Sequence, residues 1–344
     1  MKQKRIGILT AGGDCPGLNA AIRGVGKTAM VQYGWEVIGF SDGFSGLIEK
    51  DYSILKESEL SGILTLGGTI LGTSREKPFK RTDNGLPDID KPALIKKHYE
   101  QLDLDCLVIL GGNGTMKTAT KLSEEGLNII GLPKTIDNDV WGTDITFGFQ
   151  SAVDIASDAI DRLHSTANSH KRIMVIELMG HDAGWITLYS GIASGGDVIL
   201  LPEIDYNEQI IARYIENRAR KGKPYSIVVV AEGIRKKSEK KSAGTYIAKM
   251  INKATGLETR DTKLGYIQRG GTPSPFDRIL ATRYGAYATQ LIAEERYGFM
   301  VAVKGENLIP VPLNEVGGRL KLVEADNQLV KKARFMGTSF GDDF

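Results

Sequence analysis

The chain has 344 residues, 41% hydrophobic and 25% charged, with a formal net charge of +2, which fits two globular domains of ordinary size. Its one basic run, Arg235-Lys-Lys-Ser-Glu-Lys-Lys241, is broken by Ser and Glu and reads as a solvated loop, so a nucleic-acid partner is not expected. No apolar run approaches the roughly 20 residues of a membrane-spanning helix, and two cysteines, Cys15 and Cys106, build no disulfide framework. A cytoplasmic protein with no membrane partner is the expectation, and the strand pattern beginning at Lys4 leaves no room for a leader peptide.

The first element is the apolar strand Lys4-Arg-Ile-Gly-Ile-Leu-Thr10. It runs into Ala11-Gly-Gly-Asp-Cys-Pro-Gly-Leu-Asn19 and then a helical pattern over residues 20–33. Strand, Gly-rich turn and helix together offer backbone N–H groups and a helix N-terminus to a phosphate. The turn is neither a Walker A sequence nor a clean G-x-G-x-x-G, so a tight turn without ligand remains the alternative. Residues 36–40 form a second strand, followed by a Gly-rich irregular segment to residue 47.

Gly67-Gly-Thr-Ile-Leu-Gly-Thr-Ser-Arg75 is another small-residue loop, ending in an arginine placed to meet an anion. Residues 79–91 are polar, with a turn signal at Asp83-Asn-Gly85, and are expected on the surface. A helix over 92–101 leads to the strand Asp105-Cys-Leu-Val-Ile-Leu110, and Gly111-Gly-Asn-Gly-Thr115 then opens a helix over 116–125. Two such turns imply a parallel sheet whose strand ends share one phosphate-binding crevice.

An apolar run, 127–130, precedes Gly131-Leu-Pro-Lys-Thr-Ile-Asp-Asn-Asp139. Its carboxylates suit a loop in which one accepts a hydroxyl proton and another helps to hold Mg²⁺. The alternative is an Asn- and Asp-rich solvated turn.

The second half repeats this grammar. Apolar positions at Ala152, Ile155, Ala156, Ala159, Ile160 and Leu163 mark a helix over 149–166. Residues 172–177 form a strand leading into Leu178-Met-Gly-His-Asp-Ala-Gly184, and 198–202 and 226–231 are all-apolar strands separated by a helix over 207–221. Such strands suit a sheet covered on both faces. Leu264-Gly-Tyr-Ile-Gln-Arg-Gly-Gly271 precedes a helix over 275–295. The tail beyond Lys321 is charged and reads as a helix over 324–332 with a frayed end.

Six ordered motifs carry a resemblance to the 6-phosphofructokinases. They are Gly12-Gly-Asp-Cys-Pro-Gly-Leu-Asn-Ala-Ala-Ile-Arg23, Gly67 to Arg75, Gly111 to Thr115, Pro133-Lys-Thr-Ile-Asp-Asn-Asp139, Glu177-Leu-Met-Gly180 and Leu264 to Gly271. The resemblance implies an α/β chain of two Rossmann-like parallel-sheet α/β/α domains with the active site in the cleft between them. The implied nucleotide-binding domain spans 1–148 plus about 268–312, and the fructose 6-phosphate domain about 149–267 plus 313–344. It implies ATP-dependent phosphorylation of fructose 6-phosphate at the 1-hydroxyl with Mg²⁺.

Carried over by position, Asp137 resembles the general base, with Thr135, Lys134 and Gly114 beside it around the transferring phosphoryl and the sugar. Gly13, Arg75, Glu76, Gly112, Asn113, Gly114 and Thr115 match nucleotide contacts. Met179, Gly180, His181, Glu232, Tyr266 and Arg269 match contacts to the sugar phosphate. Arg172 and Arg260 match arginines supplied by a neighbouring subunit, which implies a homo-oligomer, a dimer or a tetramer. Asn113 and Asp139 match the metal position.

Three residues depart from the bacterial ATP-dependent pattern: Asn113 stands for an acid, His181 for an arginine and Tyr266 for a histidine. Two others bear on the donor. Gly114 resembles ATP-using members, because an aspartate there would repel a nucleotide α-phosphate, whereas Lys134 resembles the pyrophosphate branch. The combination is similar to an ATP-using member of the mixed-donor branch, with a pyrophosphate-dependent enzyme as the alternative. A catalytically weakened sugar-phosphate sensor is the alternative of another class. NAD kinases and lipid kinases share a loop like 111–115 but lack the later motifs. Arg23, Lys27, Lys221 and Lys223 match basic positions of an effector site; separate solvated charges are the alternative.

Overall fold

The first apolar run becomes β1 (Arg5–Thr10) in the computed structural model, which describes residues 3–80, 90–234 and 242–342. The Asp83-Asn-Gly85 turn and the 235–241 run lie outside the described residues. The strands that follow are β2 (Glu36–Phe40), β3 (Tyr52–Ile54), β4 (Cys106–Gly111), β5 (Ile129–Pro133), β6 (Ile173–Leu178), β7 (Val198–Leu200), β8 (Ser226–Ala231), β9 (Thr259–Lys263), β10 (Phe299–Lys304) and β11 (Asn307–Pro312). The α-helices are α1 (Leu18–Lys27), α2 (Phe44–Glu49), α3 (Lys91–Gln101), α4 (Asn113–Glu124), α5 (Phe149–His170), α6 (Trp185–Ala193), α7 (Glu208–Arg220), α8 (Ala243–Thr255), α9 (Pro275–Ala293), α10 (Leu313–Val316) and α11 (Gln328–Phe335).

The chain divides into two compact α/β units. One comprises Met1–Thr135, Asp139–Gln150 and Arg269–Leu320; the other comprises Ile136–Asn138, Ser151–Gln268 and Lys321–Phe344.

In the first unit the sheet order is β11-β10-β5-β4-β1-β2-β3, parallel except at its two edges, where β3 and β11 run antiparallel to their neighbours. β1 pairs with β2 on one side and with β4 on the other, so the strand order reverses beside β1. Ligands of open α/β sheets bind beyond the strand ends at such a switch point. Every residue of β4 and β5 is buried, as a sheet covered on both faces requires. Ile109, Leu107, Ile129, Met116 and Ala119 belong to the core on which α4 packs.

The second unit is an all-parallel sheet in the order β7-β8-β6-β9. Its core joins Val175, Val228 and Val230 to Ile211 and Ile215 of α7 and Ile247 and Ile251 of α8.

Several elements differ from the sequence reading. The segment taken as irregular up to residue 47 holds α2, which begins after Gly43 with its φ of +67°. α4 starts at Asn113, so the glycine turn is shorter and Asn113, Gly114 and Thr115 form the first helical turn. β9 (Thr-Arg-Asp-Thr-Lys) has no apolar signature because it is an edge strand, paired only with β6. The β10–β11 hairpin escapes a reading that stops at prolines; Pro310 and Pro312 are tolerated because β11 is an edge. The described tail, to residue 342, packs into the core rather than fraying. α11 lies four residues later than expected, and Val323, Val330, Ala333 and Phe340 are buried against Leu188, Ile199, Leu201 and Ile204.

Candidate active site

At the end of β1 the chain turns through Gly12, whose φ of +87° a side chain would strain. The Gly12 N–H donates to Ser74 O at 2.9 Å, and Thr73 Oγ1 donates to Gly12 O at 2.8 Å, which ties the first glycine turn to the loop ending at Arg75. At Gly13 a Cβ would lie 2.5 Å from Nη1 of Arg269, so a side chain there would displace that guanidinium. Lys134, buried at 3% exposure just past β5, donates from Nζ to the Gly13 carbonyl. Burial pushes the neighbouring Cys15 thiol up, so this cysteine stays protonated.

The turn after β4 faces the same switch point. Gly112 caps α4 with no side-chain hydrogen bond; the Thr115 N–H turns back to the Gly112 carbonyl at 3.0 Å, and the positive end of the helix dipole at Asn113 and Gly114 faces an incoming anion. A Cβ on Gly111 would come within 2.2 Å of the Thr115 side chain. Gly114 is different: a Cβ there meets nothing within 4 Å. It sits in the first turn of a helix, and neither packing nor a left-handed φ requires it.

Asn113 donates from Nδ2 to the Arg319 carbonyl, and the Arg319 guanidinium carbon stands 4.1 Å over the Trp141 ring centroid. Glu76 is engaged by Lys91 at 2.8 Å, while Arg75 is exposed. The carbonyl of Thr135 accepts from Thr146 Oγ1 at 2.7 Å.

Residues 136–138 count with the second unit, so the loop carrying Asp137 contributes to both. Asn138 adopts φ +54°, a left-handed conformation that asparagine tolerates better than most residues. Beyond β6, Met179 N–H donates to Gln268 Oε1 at 2.9 Å, and Gln268 is fully buried. Gly180, at φ +147°, leaves no room for a side chain, since a Cβ would approach Ala183 O to 2.4 Å. His181 N–H donates to Glu232 Oε1 at 3.2 Å, which joins the loop after β6 to the end of β8. The His181 ring is exposed beside Asp182 Oδ2, at 3.1 Å, and Tyr266 is 72% exposed.

Glu177, 2% exposed at the end of β6, accepts from Gly244 N–H at 2.7 Å and pairs with Lys263 at 2.8 Å, so it fixes the start of α8 and the end of β9. Met179, Glu232 and Tyr266 follow the C-terminal ends of β6, β8 and β9 respectively. Arg172 and Arg260 lie at the opposite, N-terminal ends of β6 and β9, where both pair with Glu258. Hydrogen bonding from Arg172 holds the Glu258 carboxyl below its usual range. Seven residue steps along β6 at roughly 3.3 Å each place Arg172 about 23 Å from Met179. Of the four basic residues, Arg23 and Lys27 belong to the first unit and Lys221 and Lys223 to the second, and Lys27 is already paired with Glu57 at 2.9 Å.

A family model described as phosphofructokinase matches residues 5–292. The chain belongs to the phosphofructokinase family. It is 61% identical to ATP-dependent 6-phosphofructokinase 3 of Bacteroides thetaiotaomicron, over 98% of this chain and 100% of that one. It is 56% identical to ATP-dependent 6-phosphofructokinase of Spirochaeta thermophila, over 98% of each chain. Among solved structures it is similar to Pichia pastoris phosphofructokinase in the T-state, with a TM-score of 0.84 and 32% identity, over 92% of this chain and 35% of that one.

Sequence reasoning passed over Gln268, Glu203, Trp185 and Lys321. Gln268 sits inside a quoted motif, yet the motif gives no sign that its side chain holds the Met179 backbone. Lys321 stands at the head of a charged tail, and the apolar Val323, Val330, Ala333 and Phe340 beyond it are the signal of a buried tail.

Proposed function

We propose that this family member transfers the γ-phosphoryl group of ATP to the 1-hydroxyl of fructose 6-phosphate, giving ADP and fructose 1,6-bisphosphate. The observation that carries the donor assignment is Gly114. A glycine in the first helical turn with open space in front of it, at a helix N-terminus without a side-chain cap, is best explained by a bulky polyphosphate passing there. An aspartate side chain at that position would fill the space and repel the α-phosphate. The relatives named ATP-dependent support the same reading.

In this reading the first unit takes the nucleotide through Gly13, Arg75, Glu76 and the 112–115 turn, and the second unit takes the sugar phosphate through Met179, Gly180, His181, Glu232 and Tyr266, with Arg269 of the first. The 1-hydroxyl oxygen forms a bond to the γ-phosphorus while the bond from that phosphorus to the β–γ bridging oxygen breaks. The hydroxyl proton passes to the Asp137 carboxylate, and the leaving oxygen departs on ADP. Thr135 and Lys134 hold the transferring group and offset its charge.

Among the described residues no three acidic, histidine or cysteine side chains group into a ready-made metal site. Mg²⁺ does not need one, because it takes one or two protein oxygens and completes its shell with phosphates and water. The Asp139 carboxylate and Asn113 Oδ1, whose amide nitrogen is committed to Arg319, are hard oxygen donors that fit this role. Bound there, the ion would draw negative charge from the phosphates.

Because Arg172 and Arg260 stand at the far end of the sheet from Met179, the reading has them complete the site of a neighbouring copy in a homo-oligomer. A coupled assay of purified protein with fructose 6-phosphate tests the donor. Turnover with Mg²⁺-ATP is expected; turnover only with pyrophosphate would reverse the assignment, and none with either would favour a sensor.

A further inference from the structure

The tail of the second unit brings a cation to the loop that holds Asp137. Lys321 Nζ donates to Asn138 Oδ1 at 2.9 Å, and Asn138 is only 3% exposed. Lys321 is itself fixed in place. Its carbonyl accepts the indole N–H of Trp185 at 2.8 Å, and its ammonium lies 5.4 Å from the centroid of the same ring. Two residues on, the Val323 N–H donates to Glu203 Oε1 at 2.9 Å, an oxygen that also takes the Gly184 N–H at 2.9 Å. Downstream, Val330, Ala333 and Phe340 anchor the tail in the core.

We propose that Lys321 is a positioning residue for the proton transfer, acting through Asn138 on the neighbouring Asp137; this rests on Asp137 being the base. The reason is the left-handed backbone at Asn138, φ +54°, a sparsely populated conformation that asparagine tolerates better than most residues but holds more firmly when its side chain is anchored. A charge-assisted hydrogen bond from a rigidly mounted ammonium supplies that constraint. With the bond removed, Asn138 relaxes toward ordinary φ values, the peptide joining it to Asp137 rotates, and the carboxylate leaves the line of the hydroxyl. The same mount holds Gly184 and Trp185 at the head of α6, directly after the loop with Met179 and Gly180. One tail segment therefore sets the base loop and the sugar-phosphate loop together.

The test is a double-mutant cycle on steady-state kinetics with Lys321→Met, Asn138→Ala and the double variant, each checked for folding by its melting temperature. Lys321→Met is expected to lower kcat by up to about 100-fold, the scale of a misplaced catalytic group, with the KM for ATP unchanged. The double variant should be no slower than the slower single variant, and Lys321→Arg should recover part of the loss. Should Lys321→Met not fold, Asn138→Gly, which adopts the left-handed backbone without strain but lacks the anchoring side chain and so leaves the peptide free to rotate, carries the same expectation for kcat. Wild-type kcat in Lys321→Met or Asn138→Gly, or losses that multiply in the double variant, would overturn the positioning role. Asp137→Ala in parallel separates the two ideas. If it loses turnover while Lys321→Met does not, only the inference about Lys321 fails; if it retains full turnover, the assignment of the base fails and the positioning role with it.

Discussion

Arg172 Nε lies 2.8 Å from a carboxylate oxygen of Glu258, at the end of the second sheet remote from Met179 and Gly180. A cation at that edge, paired with a partly exposed carboxylate, can serve a substrate only if the substrate arrives from outside this chain's own strand-end loops. Mixing Arg172→Ala chains with Asp137→Ala chains should therefore restore activity that neither has alone. Confirmed mixed oligomers without activity would place both residues in one chain's site.

Gly114→Asp should cripple ATP use without unfolding the protein, because a Cβ there meets no other atom within 4 Å. An acid in the first turn also suits the helix dipole. The expected result is a large fall in kcat/KM for ATP at an unchanged or higher melting temperature, with Lys134 still in place to support pyrophosphate. Undiminished ATP turnover would remove Gly114 from donor selection.

Burial pushes the Glu203 carboxyl up from its usual 4.5, more than the backbone N–H groups of Gly184, Val323 and Glu203 itself pull it down. A native carboxyl that binds its proton more tightly than the unfolded chain does adds stability at low pH, and that contribution is lost as the pH rises through its native value. The melting-temperature difference between wild type and Glu203→Gln should therefore shift in favour of wild type as the pH falls from neutral toward about 4.5. A difference independent of pH would contradict this environment for Glu203.

Phe340 is fully buried against the α6 and β7 side of the second unit. Phe340→Ala should cost roughly 3–5 kcal/mol, the usual range for a core aromatic, read as a lower denaturation midpoint. A change within a few tenths of that scale would mean that the tail is not part of the core.

The strand and glycine-turn grammar was legible because the interior parallel strands, such as β4 and β5, are apolar runs and turns such as the one at Gly12 use a left-handed φ that favours glycine. The switch point beside β1 follows from that grammar. What stayed hidden is tertiary in origin. β9 is polar because it is an edge, and Pro310 sits in a strand because no neighbour needs its N–H. Lys321 looks like any surface lysine until Trp185 and Asn138 surround it. Residue type and spacing report a local need, whereas Lys321 meets Asn138 across 183 positions of sequence.

The central claim, transfer of the terminal phosphoryl of ATP with Asp137 as base, is tested most directly by following label from γ-labelled ATP into the sugar phosphate. The account predicts one labelled fructose 1,6-bisphosphate per ATP consumed by wild type. It also predicts a loss of about 10²–10⁴-fold in Asp137→Ala at equal nucleotide occupancy, the range for removing a general base. Label transfer by Asp137→Ala at the wild-type rate, or wild-type transfer from pyrophosphate but not from ATP, would contradict it.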